Sequence, residues 1–266
     1  MKLGFIGCGN MGAALLEGIV KNGAAAPANI IVFDRSERGR VRASAANVKI
    51  ADGISAVVCE SDMVILAVKP KDAIAAIKEA RQFLEGKALL SIVAGLDYHA
   101  IKLALDGVNA RVLVSLPNTP AMVGAGVTGF TLETTFNEAE KAEAQRLFCA
   151  LGIVEWLSES MLYALSALSG SGPAYTAVFI EALADAAVAQ GIKRDTAYKL
   201  AAATVMGTGK LVLETSQHPA ALKDSVCSPS GTTIEGIKAL ERGSFRSTVI
   251  DAVDAAAKKF FLLVHP

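Results

Sequence analysis

The residues of this sequence that are best suited to bind a ligand form the glycine-rich segment GFIGCGNMG at 4–12. Gly7, Gly9 and Gly12 have the G-x-G-x-x-G spacing of dinucleotide-binding loops. In such loops the first glycine permits a tight turn, the second lets a pyrophosphate approach the backbone, and the third lets helix and strand pack closely. The segment follows a short apolar run and begins a helical pattern. It therefore predicts a pyrophosphate site at a helix N-terminus, with a ligand-free glycine turn as the alternative.

A second group of polar residues, FDRSE at 33–37, ends the next apolar segment of the chain. Asp34 stands where an acidic side chain binds the ribose 2′-hydroxyl of NAD. Arg35, Ser36 and Arg38 follow it at once and could instead bind the 2′-phosphate of NADP. The sequence leaves three interpretations open here: an NAD site, an NADP site or a solvated charged turn.

Three further segments with unusual residues lie at the ends of apolar runs: AVKP at 67–70, VAG at 93–95 and LPNTP at 116–120. In an open α/β sheet, the ligand crevice lies outside the carboxyl ends of the strands. Small residues in the second segment would let a nicotinamide ring come close. Each segment alone is also compatible with an ordinary turn, but their shared position at one sheet edge favours a site.

The second half of the chain has a hydroxyl-rich interruption, CSPSGTTIE at 227–235. Thr232 and Glu235 have the spacing of a capping box, which predicts a helix that starts near Thr232 or Thr233. The residues around that start would bind a carboxylate-sized anion at a helix N-terminus, or would merely cap the helix. They are Ser228, Ser230, Gly231 and Thr232.

Metal and nucleophile chemistry is not favoured by the sequence. His99, His218 and His265 are far apart and lack ligand spacing, so no metal site is expected. Cys8 lies inside the glycine loop, where a small side chain is sufficient reason for its presence. The four cysteines include no CxxC pair, which favours a reduced cytoplasmic protein.

The first half of the chain, which must position most of these residues, alternates apolar strands with helical segments. Strands that are apolar throughout and separated by helices indicate a parallel sheet covered on both faces. The sequence thus predicts a doubly wound, nucleotide-binding α/β architecture. The predicted strands lie at 3–6, 30–34, 48–50, 63–68, 88–95 and 111–117, and those at 126–132 and 153–157 would extend the sheet around a helix at 137–150.

From about residue 159 the strand pattern stops and helical patterns follow one another. We therefore predict an α/β domain at 1–158 and an all-α domain at 159–266. The helices are rich in alanine and apolar on more than one face. One small bundle cannot cover that much apolar surface, so the helical domain is expected to pack against a second copy.

Composition and charge exclude several classes of function. With 266 residues, the chain can bury a real core in one large or two modest domains. It is 52% hydrophobic, yet no uncharged apolar run approaches the roughly 20 residues that span a bilayer. The formal net charge is +0, so nothing attracts the chain to nucleic acid or an anionic membrane. Because few residues precede Cys8, we do not expect a signal peptide there.

Six segments, in chain order, resemble pyrroline-5-carboxylate reductase: GFIGCGNMG, AVKP, PNTP, SGSGPAY, QHPAALKD and CSPSGTTIE. The resemblance covers essentially the whole chain, and the later segments are more specific than the glycine fingerprint. It implies NAD(P)H-dependent reduction of 1-pyrroline-5-carboxylate to L-proline, the last step of proline biosynthesis. It also implies a Rossmann-type domain, a helical dimerisation domain, an active site between the two, and dimers that often form larger rings. Arg35, Ser36 and Arg38 lead us to expect NADPH as the cofactor, with NADH as the alternative.

The resemblance also assigns roles to individual residues. Ser166 matches a hydroxyl position that faces the ring nitrogen of the substrate and would be catalytic. The substrate carboxylate would be held by Ser228, Gly231, Thr232 and Thr233. The pyrophosphate would be lined by Gly7, Gly9, Asn10, Met11 and Gly12. The nicotinamide and its ribose would be bordered by Ala67, Val68, Lys69, Pro70, Ala94, Gly95 and Asn118.

This sequence departs from the family pattern in three places. Ser230 stands at a position that is usually glycine, so the loop is expected to differ locally if that position needs a positive φ. Leu116 replaces a usual methionine, which is a tolerable apolar exchange. Some relatives have an acidic residue near 216–217, where this chain has none, so a carboxylate contact to the substrate nitrogen is in doubt.

Two other classes of protein fit parts of the sequence. An oxidoreductase of the same architecture could act on a 3-hydroxy acid or on another imine, but those hydroxy-acid enzymes commonly have a lysine in the segment that here reads SGSGPAYTAVFIEALAD. A non-catalytic NAD(P)-binding regulator would explain the glycine loop but not the hydroxyl-rich helix start. Oxidation of NADPH by pyrroline-5-carboxylate distinguishes these classes.

Overall fold

The computed structural model describes residues 1–264, so His265, considered above as a metal ligand, lies outside the described part of the chain. By contacts between residues, the chain divides into two compact units. The first contains residues 1–170 and the end of the chain from Ala257, and the second contains residues 171–256. No helix in residues 1–264 is long and apolar enough to cross a membrane.

The first unit is built on one β-sheet. Its strands within residues 1–264 are β1 (Leu3–Ile6), β2 (Ile30–Phe33), β3 (Lys49–Ile50), β4 (Met63–Leu66), β5 (Ala88–Ser91), β6 (Arg111–Pro117), β7 (Gly126–Thr131) and β8 (Gly152–Leu157). They lie in the order β3-β2-β1-β4-β5-β6-β7-β8. β1 to β6 are parallel, β7 is antiparallel to β6, and β8 is parallel to β7. The order of the first six strands is that of the Rossmann fold, so the predicted doubly wound sheet is confirmed.

Alternate residues of the central strands face two separate hydrophobic cores. In β1, Leu3 and Phe5 pack into one core and Ile6 packs into the other. In β4, Met63 joins the first core and Val64 the second. Successive side chains of a strand point to opposite faces, so these strands are buried on both sides. This double burial explains why they are apolar throughout in the sequence.

Helices cover both faces of the sheet. They are α1 (Asn10–Lys21), α2 (Glu37–Ala45), α3 (Ile54–Glu60), α4 (Pro70–Ala80), α5 (Tyr98–Leu105) and α6 (Glu138–Cys149). Leu16 of α1 and Phe148 of α6 pack into the first core, whereas Val57 of α3, Ile77 of α4 and Ile101 of α5 pack into the second. The apolar stripe of α1 is therefore buried against one face of the sheet, and that of α4 against the other.

The first unit continues beyond β8 into α7 (Glu159–Leu165) and a π-helical segment (Ser166–Gly170). Leu162 and Leu165 of α7 lie so close to Gly129 of β7 that a Cβ at Gly129 would overlap them. The domain boundary predicted after residue 158 marks the change from strands to helices. The division by contacts falls after Gly170 instead, because α7 packs on the sheet.

The second unit is entirely helical in its secondary structure. Its elements are α8 (Gly172–Ala189), α9 (Arg194–Thr215), α10 (Pro219–Val226), α11 (Thr232–Arg242) and the first part of α12 (Phe245–Val264), whose residues from Ala257 belong to the first unit. Its buried core is small and consists of Ala184, Ala197 and Ala201, with the partly buried Leu183 and Val188 packed against them. The prediction of an all-α second half is confirmed.

The predicted strand at 88–95 is longer than the observed one, because β5 ends at Ser91. The chain leaves the sheet there but remains buried, since Ile92 and Val93 are only 7% and 3% exposed. The Ile92 N–H still donates to the Leu66 carbonyl oxygen at 3.0 Å. Buried loop residues thus extended the apolar run, so the end of the strand was not visible in the sequence.

Gly152 at the start of β8 is the basis of a stability prediction. Its φ is +140°, and a Cβ there would overlap the backbone of Gly126, its partner in β7. Gly152→Ala should therefore destabilise the protein by about 2–5 kcal/mol, as measured by urea unfolding at fixed protein concentration. Gly23→Ala is the matched control, because Gly23 also has a positive φ (+69°) but open space around it. Equal losses in the two variants would contradict the packing argument.

Candidate active site

A cavity of about 800 Å³ lies in the first unit, where the carboxyl ends of five parallel strands meet. Ile6 ends β1, Phe33 ends β2, and Pro117 ends β6, while the loops after β4 and β5 contribute Ala67 and Ile92. The cavity includes the point between β1 and β4 where the strand order reverses, which is where open α/β sheets bind ligands. Its volume is within the range of small-molecule and cofactor sites.

The glycine loop forms one wall of this cavity. Gly7 has a φ of +97°, and a Cβ there would lie 2.6 Å from the carbonyl oxygen of Ala67. A Cβ at Gly12 would lie 2.8 Å from the carbonyl oxygen of Gly7, so helix α1 packs directly on the loop. A Cβ at Gly9 would meet nothing within 4 Å, which leaves the space beside that residue open to a ligand. The backbone geometry and surroundings of each glycine are therefore compatible with the role that the sequence motif predicts.

The N-terminus of α1 is available to an anion. Gly9 is its N-cap and supplies no side-chain hydrogen bond, and the first turn contains no acidic residue. The free N–H groups and the positive end of the helix dipole thus have no competing side chain. The cavity is lined here by Gly7, Cys8, Gly9, Asn10 and Met11.

Asp34 connects the glycine loop to the turn after β2. Its carboxylate accepts hydrogen bonds from Cys8 N–H at 2.6 Å, from Ser36 N–H at 2.7 Å and from the Ser36 hydroxyl at 2.7 Å. The Ser36 Oγ in turn caps helix α2 by accepting from Gly39 N–H at 3.1 Å. A Cβ at Gly39 would overlap the Asp34 carboxylate. Asp34 is thus a cross-link within the cavity wall as well as a lining residue.

The ionisation of Asp34 and Cys8 follows from these contacts. Burial alone would raise the pKa of Asp34, but the hydrogen bonds from Ser36 and Cys8 and the charge of Arg40 outweigh it and hold the pKa below its usual value. Burial, followed by the charge of Asp34, raises the pKa of the Cys8 thiol to about 11. Cys8 therefore stays a neutral thiol at physiological pH and is not a nucleophile.

Basic side chains surround the end of the cavity beside α2. Arg35 forms an ion pair with Asp72 at 3.0 Å, and the Arg42 guanidinium donates to Asn10 Oδ1 at 3.0 Å. Arg38 also lines the cavity, and no hydrogen bond or ion pair is recorded for its side chain within residues 1–264. Both donors of Ser36 go to Asp34, so the predicted phosphate contact of Ser36 would require that bond to be exchanged.

Four charged residues of the lining were missed by sequence reasoning: Arg42, Lys71, Asp72 and Glu79. Arg42 lies four residues after Arg38 in α2, and this spacing, which puts both side chains on one helix face, was the signal that could have found it. Lys71 and Asp72 directly follow the AVKP segment, and Glu79 lies further along α4. No sequence pattern indicates that Asp72 pairs with Arg35.

The predicted nicotinamide-side residues lie mostly in the same cavity. Ala67, Val68, Lys69, Pro70 and Ala94 line it. Gly95 lines a second, small cavity of about 30 Å³ beside it. Asn118 is 6% exposed and is not among the lining residues. Its amide donates to the Ser169 carbonyl oxygen at 3.0 Å and accepts from Val127 N–H at 2.8 Å, so Asn118 joins β7 to the π-helical segment.

Ser166 begins the π-helical segment at the end of α7. Its side chain is half-buried, and a Cβ at Gly170 would lie 3.5 Å from its Oγ. The wide turn is held from two sides, because Asn118 bonds the Ser169 carbonyl and the Ser169 hydroxyl donates to the Leu165 carbonyl at 3.0 Å. π-Helical turns are frequent at functional sites.

The predicted carboxylate site lies at the start of α11 in the second unit. The predicted helix start near Thr232 is confirmed, but the predicted capping box is wrong: Gly231 is the N-cap, no side chain caps the helix, and Glu235 pairs with Lys238 at 2.9 Å. The Gly231 N–H donates to the Ser228 carbonyl at 3.1 Å, which closes a turn through Pro229. Because Glu235 does not reach back, the first N–H groups of α11 are left for another acceptor.

Comparisons with known proteins decide which family this arrangement belongs to. A family model described as pyrroline-5-carboxylate reductase dimerisation matches residues 159–261, and one described as NADP oxidoreductase, coenzyme F420-dependent, matches residues 2–95. The pyrroline-5-carboxylate reductase of Escherichia coli (strain K12) is 40% identical over 97% of this chain and 96% of its own length. The chain belongs to the pyrroline-5-carboxylate reductase family.

Solved structures of this family agree with the fold over nearly the whole chain. A Coxiella burnetii pyrroline-5-carboxylate reductase is 34% identical, with a TM-score of 0.89 and 98% of both chains covered. A Plasmodium falciparum pyrroline carboxylate reductase with NADP bound is 31% identical, with a TM-score of 0.87, and covers 98% of this chain and 97% of its own. The match therefore includes both units of this protein.

The family pattern SPGG is SPSG in this chain, and the structure shows how the serine is accommodated. Ser230 has a φ of +57°, the left-handed region that favours glycine. With Pro229 before it, this is the signature of a type II turn, which needs a positive φ at that position. Ser230 therefore adopts a backbone conformation that favours glycine, at a cost of roughly 1–2 kcal/mol relative to glycine.

Asp34→Asn tests the cross-link in the cavity wall. An amide in place of the carboxylate faces N–H donors with its own NH₂ group, so the variant should lose about 1–3 kcal/mol of unfolding free energy at neutral pH. Because the native pKa of Asp34 is lowered, its stabilisation is fully present above the ordinary pKa of an aspartate and is lost as pH falls through the native pKa. Urea unfolding at several pH values should show a smaller difference between wild type and variant in acid. A difference that does not change with pH would contradict the assignment.

Proposed function

We propose that this protein reduces 1-pyrroline-5-carboxylate to L-proline with NADPH, the last step of proline biosynthesis. The observation that carries the proposal is the 40% identity to the Escherichia coli pyrroline-5-carboxylate reductase along the whole chain. The cavity at the switch point of the sheet supports it, since its glycine loop and basic end suit a phosphorylated dinucleotide. The alternatives, a hydroxy-acid or other imine oxidoreductase and a non-catalytic regulator, share only the fold and the glycine loop.

The residues around the cavity fit NADP as the cofactor. The pyrophosphate would rest on the N–H groups of Gly9, Asn10 and Met11, because the space beside Gly9 is open and α1 has no side-chain cap. The 2′-phosphate would meet Arg35 and Arg38, with the Ser36 turn between them. NADH is the alternative cofactor. When bound, the reduced nicotinamide supplies a hydride to an imine carbon.

The residues on the other side of the cavity would position the nicotinamide. Ala67 and Val68 follow β4, and Ala94 follows β5, so short side chains surround the place where a planar ring would lie. Buried Ile92 and Val93 keep water from that side. Positioning contributes much of the catalysis in such a reaction, since reacting atoms must be held about 3–3.5 Å apart.

Hydroxyl groups, rather than a strong acid, are proposed to bind the reacting part of the substrate. We assign the Ser166 Oγ–H to the substrate ring nitrogen, where it would donate a hydrogen bond. A protonated imine is already electrophilic, so no strong protein acid is needed. The substrate carboxylate would accept from the first N–H groups of α11 and from the hydroxyls of Ser228, Thr232 and Thr233. Gly231 leaves room for the Ser228 hydroxyl, which a Cβ there would overlap.

An assay of NADPH oxidation with pyrroline-5-carboxylate tests the whole proposal. The expected result is loss of the reduced nicotinamide absorbance only when both compounds are present, with proline as the product. A 3-hydroxy acid with NADP serves as the second substrate pair. Activity with that pair alone would favour the hydroxy-acid alternative, and tight NADPH binding without turnover of either substrate would favour the regulator.

Thr233→Val should weaken substrate use without affecting the cofactor. It keeps the shape of the side chain and removes one charge-assisted hydrogen bond, worth roughly 1.5–3 kcal/mol, so kcat/KM for pyrroline-5-carboxylate should fall about 10- to 150-fold. The KM for NADPH should hardly change. Ser228→Ala should act in the same direction.

Thr204→Val is the matched control, because Thr204 lies in α9 of the same unit and its hydroxyl bonds only the Leu200 carbonyl. It should keep wild-type kinetics. Circular dichroism would show whether α11 still forms in the variants of its first turn. If Thr233→Val and Ser228→Ala both retain wild-type kcat/KM, the carboxylate assignment is wrong.

We propose further that the protein is a homodimer or a multiple of one. The match of residues 159–261 to the dimerisation family model supports this. So does the exposure of large apolar side chains in the second unit, among them Val178 (66%), Met206 (70%), Leu213 (65%) and Ile250 (60%). Three buried alanines are a small core for helices with this much apolar surface. A ring of dimers would be a further step of the same assembly.

Met206→Glu should weaken the dimer. A charge in the middle of an apolar interface is costly, so sedimentation velocity at micromolar concentration should show a dimer or larger species for the wild type and a smaller species for the variant. Leu103→Glu in α5 is the control, because Leu103 is equally exposed (75%) but belongs to the first unit. A wild-type monomer at that concentration would refute the proposal.

We place the protein in the cytoplasm. The described cysteines, Cys8, Cys59, Cys149 and Cys227, are all free thiols, which suits a reducing compartment. A fractionation of cells with a soluble cytoplasmic marker would test this assignment.

A further inference from the structure

The ion pair between Arg35 and Asp72 lies at the basic end of the large cavity. The Arg35 Nη2 and Asp72 Oδ1 atoms are 3.0 Å apart, and both residues line the cavity. Arg35 comes from the turn after β2, whereas Asp72 comes from the first turn of α4. The Arg35 side chain is 73% exposed and that of Asp72 is 30% exposed, so the pair is in contact with solvent and can open.

Among the arginines at this end of the cavity, Arg35 already forms an ion pair with a carboxylate. Arg42 donates to the neutral amide oxygen of Asn10, and no ion pair is recorded for Arg38 within residues 1–264. Asp34, another carboxylate of the cavity lining, is occupied by N–H and O–H donors of Cys8 and Ser36. An incoming phosphate that uses the Nη2 group of Arg35 therefore competes with Asp72 for it.

We propose that Asp72 is a specificity-determining residue that competes with the 2′-phosphate of the cofactor for Arg35. The inference rests on the proposed use of NADPH by this cavity. A cofactor without the 2′-phosphate leaves the Arg35–Asp72 pair intact and does not incur this competition. Asp72 thus reduces the advantage of NADPH over NADH and keeps the second cofactor usable.

The expected size of the effect follows from the exposure of the pair. Exposed ion pairs are weak, so competition by Asp72 should lower the affinity of the wild-type protein for a 2′-phosphate by only roughly 1.5- to 5-fold. The effect should become smaller as salt is added, because exposed charges are screened within about 10 Å at 0.1 M ionic strength. It is a modest adjustment of cofactor choice rather than an exclusion of either cofactor.

A structural role for Asp72 predicts something different. It lies in the first turn of α4, where a carboxylate also complements the helix dipole. A residue that served only this purpose would affect the melting temperature and leave nucleotide binding unchanged. The two roles are therefore separable by measuring both quantities on the same variant.

Isothermal titration calorimetry with two nucleotide fragments tests the proposal on the full-length protein. Adenosine 2′,5′-bisphosphate and AMP differ only in the 2′-phosphate, and neither contains a nicotinamide. Asp72→Asn should tighten binding of the bisphosphate by roughly 1.5- to 5-fold at low salt and leave AMP unchanged. Asp106→Asn is the matched control, since it removes an exposed aspartate–arginine pair (with Arg81, at 2.7 Å) outside the cavity.

The double variant Arg35→Ala/Asp72→Asn shows whether Asp72 acts through Arg35. In the Arg35→Ala background, Asp72→Asn should no longer change the affinity for the bisphosphate. An undiminished effect there would mean direct repulsion of the phosphate and would overturn competition for Arg35. An unchanged affinity of the single variant Asp72→Asn would also overturn the proposal.

The test separates this proposal from the proposed function. If wild-type protein binds the bisphosphate more tightly than AMP but Asp72→Asn has no effect, the NADPH assignment stands and only the role of Asp72 fails. If wild-type protein does not distinguish the two fragments, the 2′-phosphate assignment and the role of Asp72 fail together. Neither result would contradict turnover of pyrroline-5-carboxylate with NADH.

Discussion

The reversal of the chain at Gly7 is the constraint on which the nucleotide-binding half of this protein depends. Gly7 passes within contact distance of the Ala67 backbone, and its N–H donates to the Phe33 carbonyl oxygen at 2.8 Å. The next N–H, of Cys8, donates to Asp34. The ends of three neighbouring strands are thereby joined by backbone contacts that no residue with a side chain at position 7 would allow. The cavity is the space that this junction leaves open.

The same junction orients the charged wall of the cavity. Asp34 fixes the Ser36 turn, and Ser36 caps α2, so the direction of α2 depends on a carboxylate that also holds the glycine loop. Arg38 and Arg42 project from that helix. The glycine loop and the arginines are therefore parts of one hydrogen-bonded assembly. Such coupling favours a site that is formed before its ligand arrives.

Much of this arrangement could be predicted from the sequence, because it rests on local rules. Buried parallel strands are apolar throughout, and the spacing of the glycines fixed the place of the loop between β1 and α1. Contacts between distant residues were not predictable in this way. The pairing of Arg35 with Asp72 and the burial of Asn118 between β7 and the π-helical segment depend on how loops meet in space. Glu235 fitted a capping box but pairs with Lys238 instead, since a side chain can satisfy either pattern.

The environment of Cys8 has a consequence for the chemistry of the whole loop. A thiol with a pKa near 11 and no exposed surface is almost entirely protonated in the cell, and only thiolates react readily with peroxides and alkylating agents. The exposed Cys59 and Cys149 lie outside the cavity lining and present more accessible targets. Oxidants would thus modify the exposed Cys59 and Cys149 before they modify Cys8 in the glycine loop. Cys8 therefore lies in the glycine loop without being a reactive thiol.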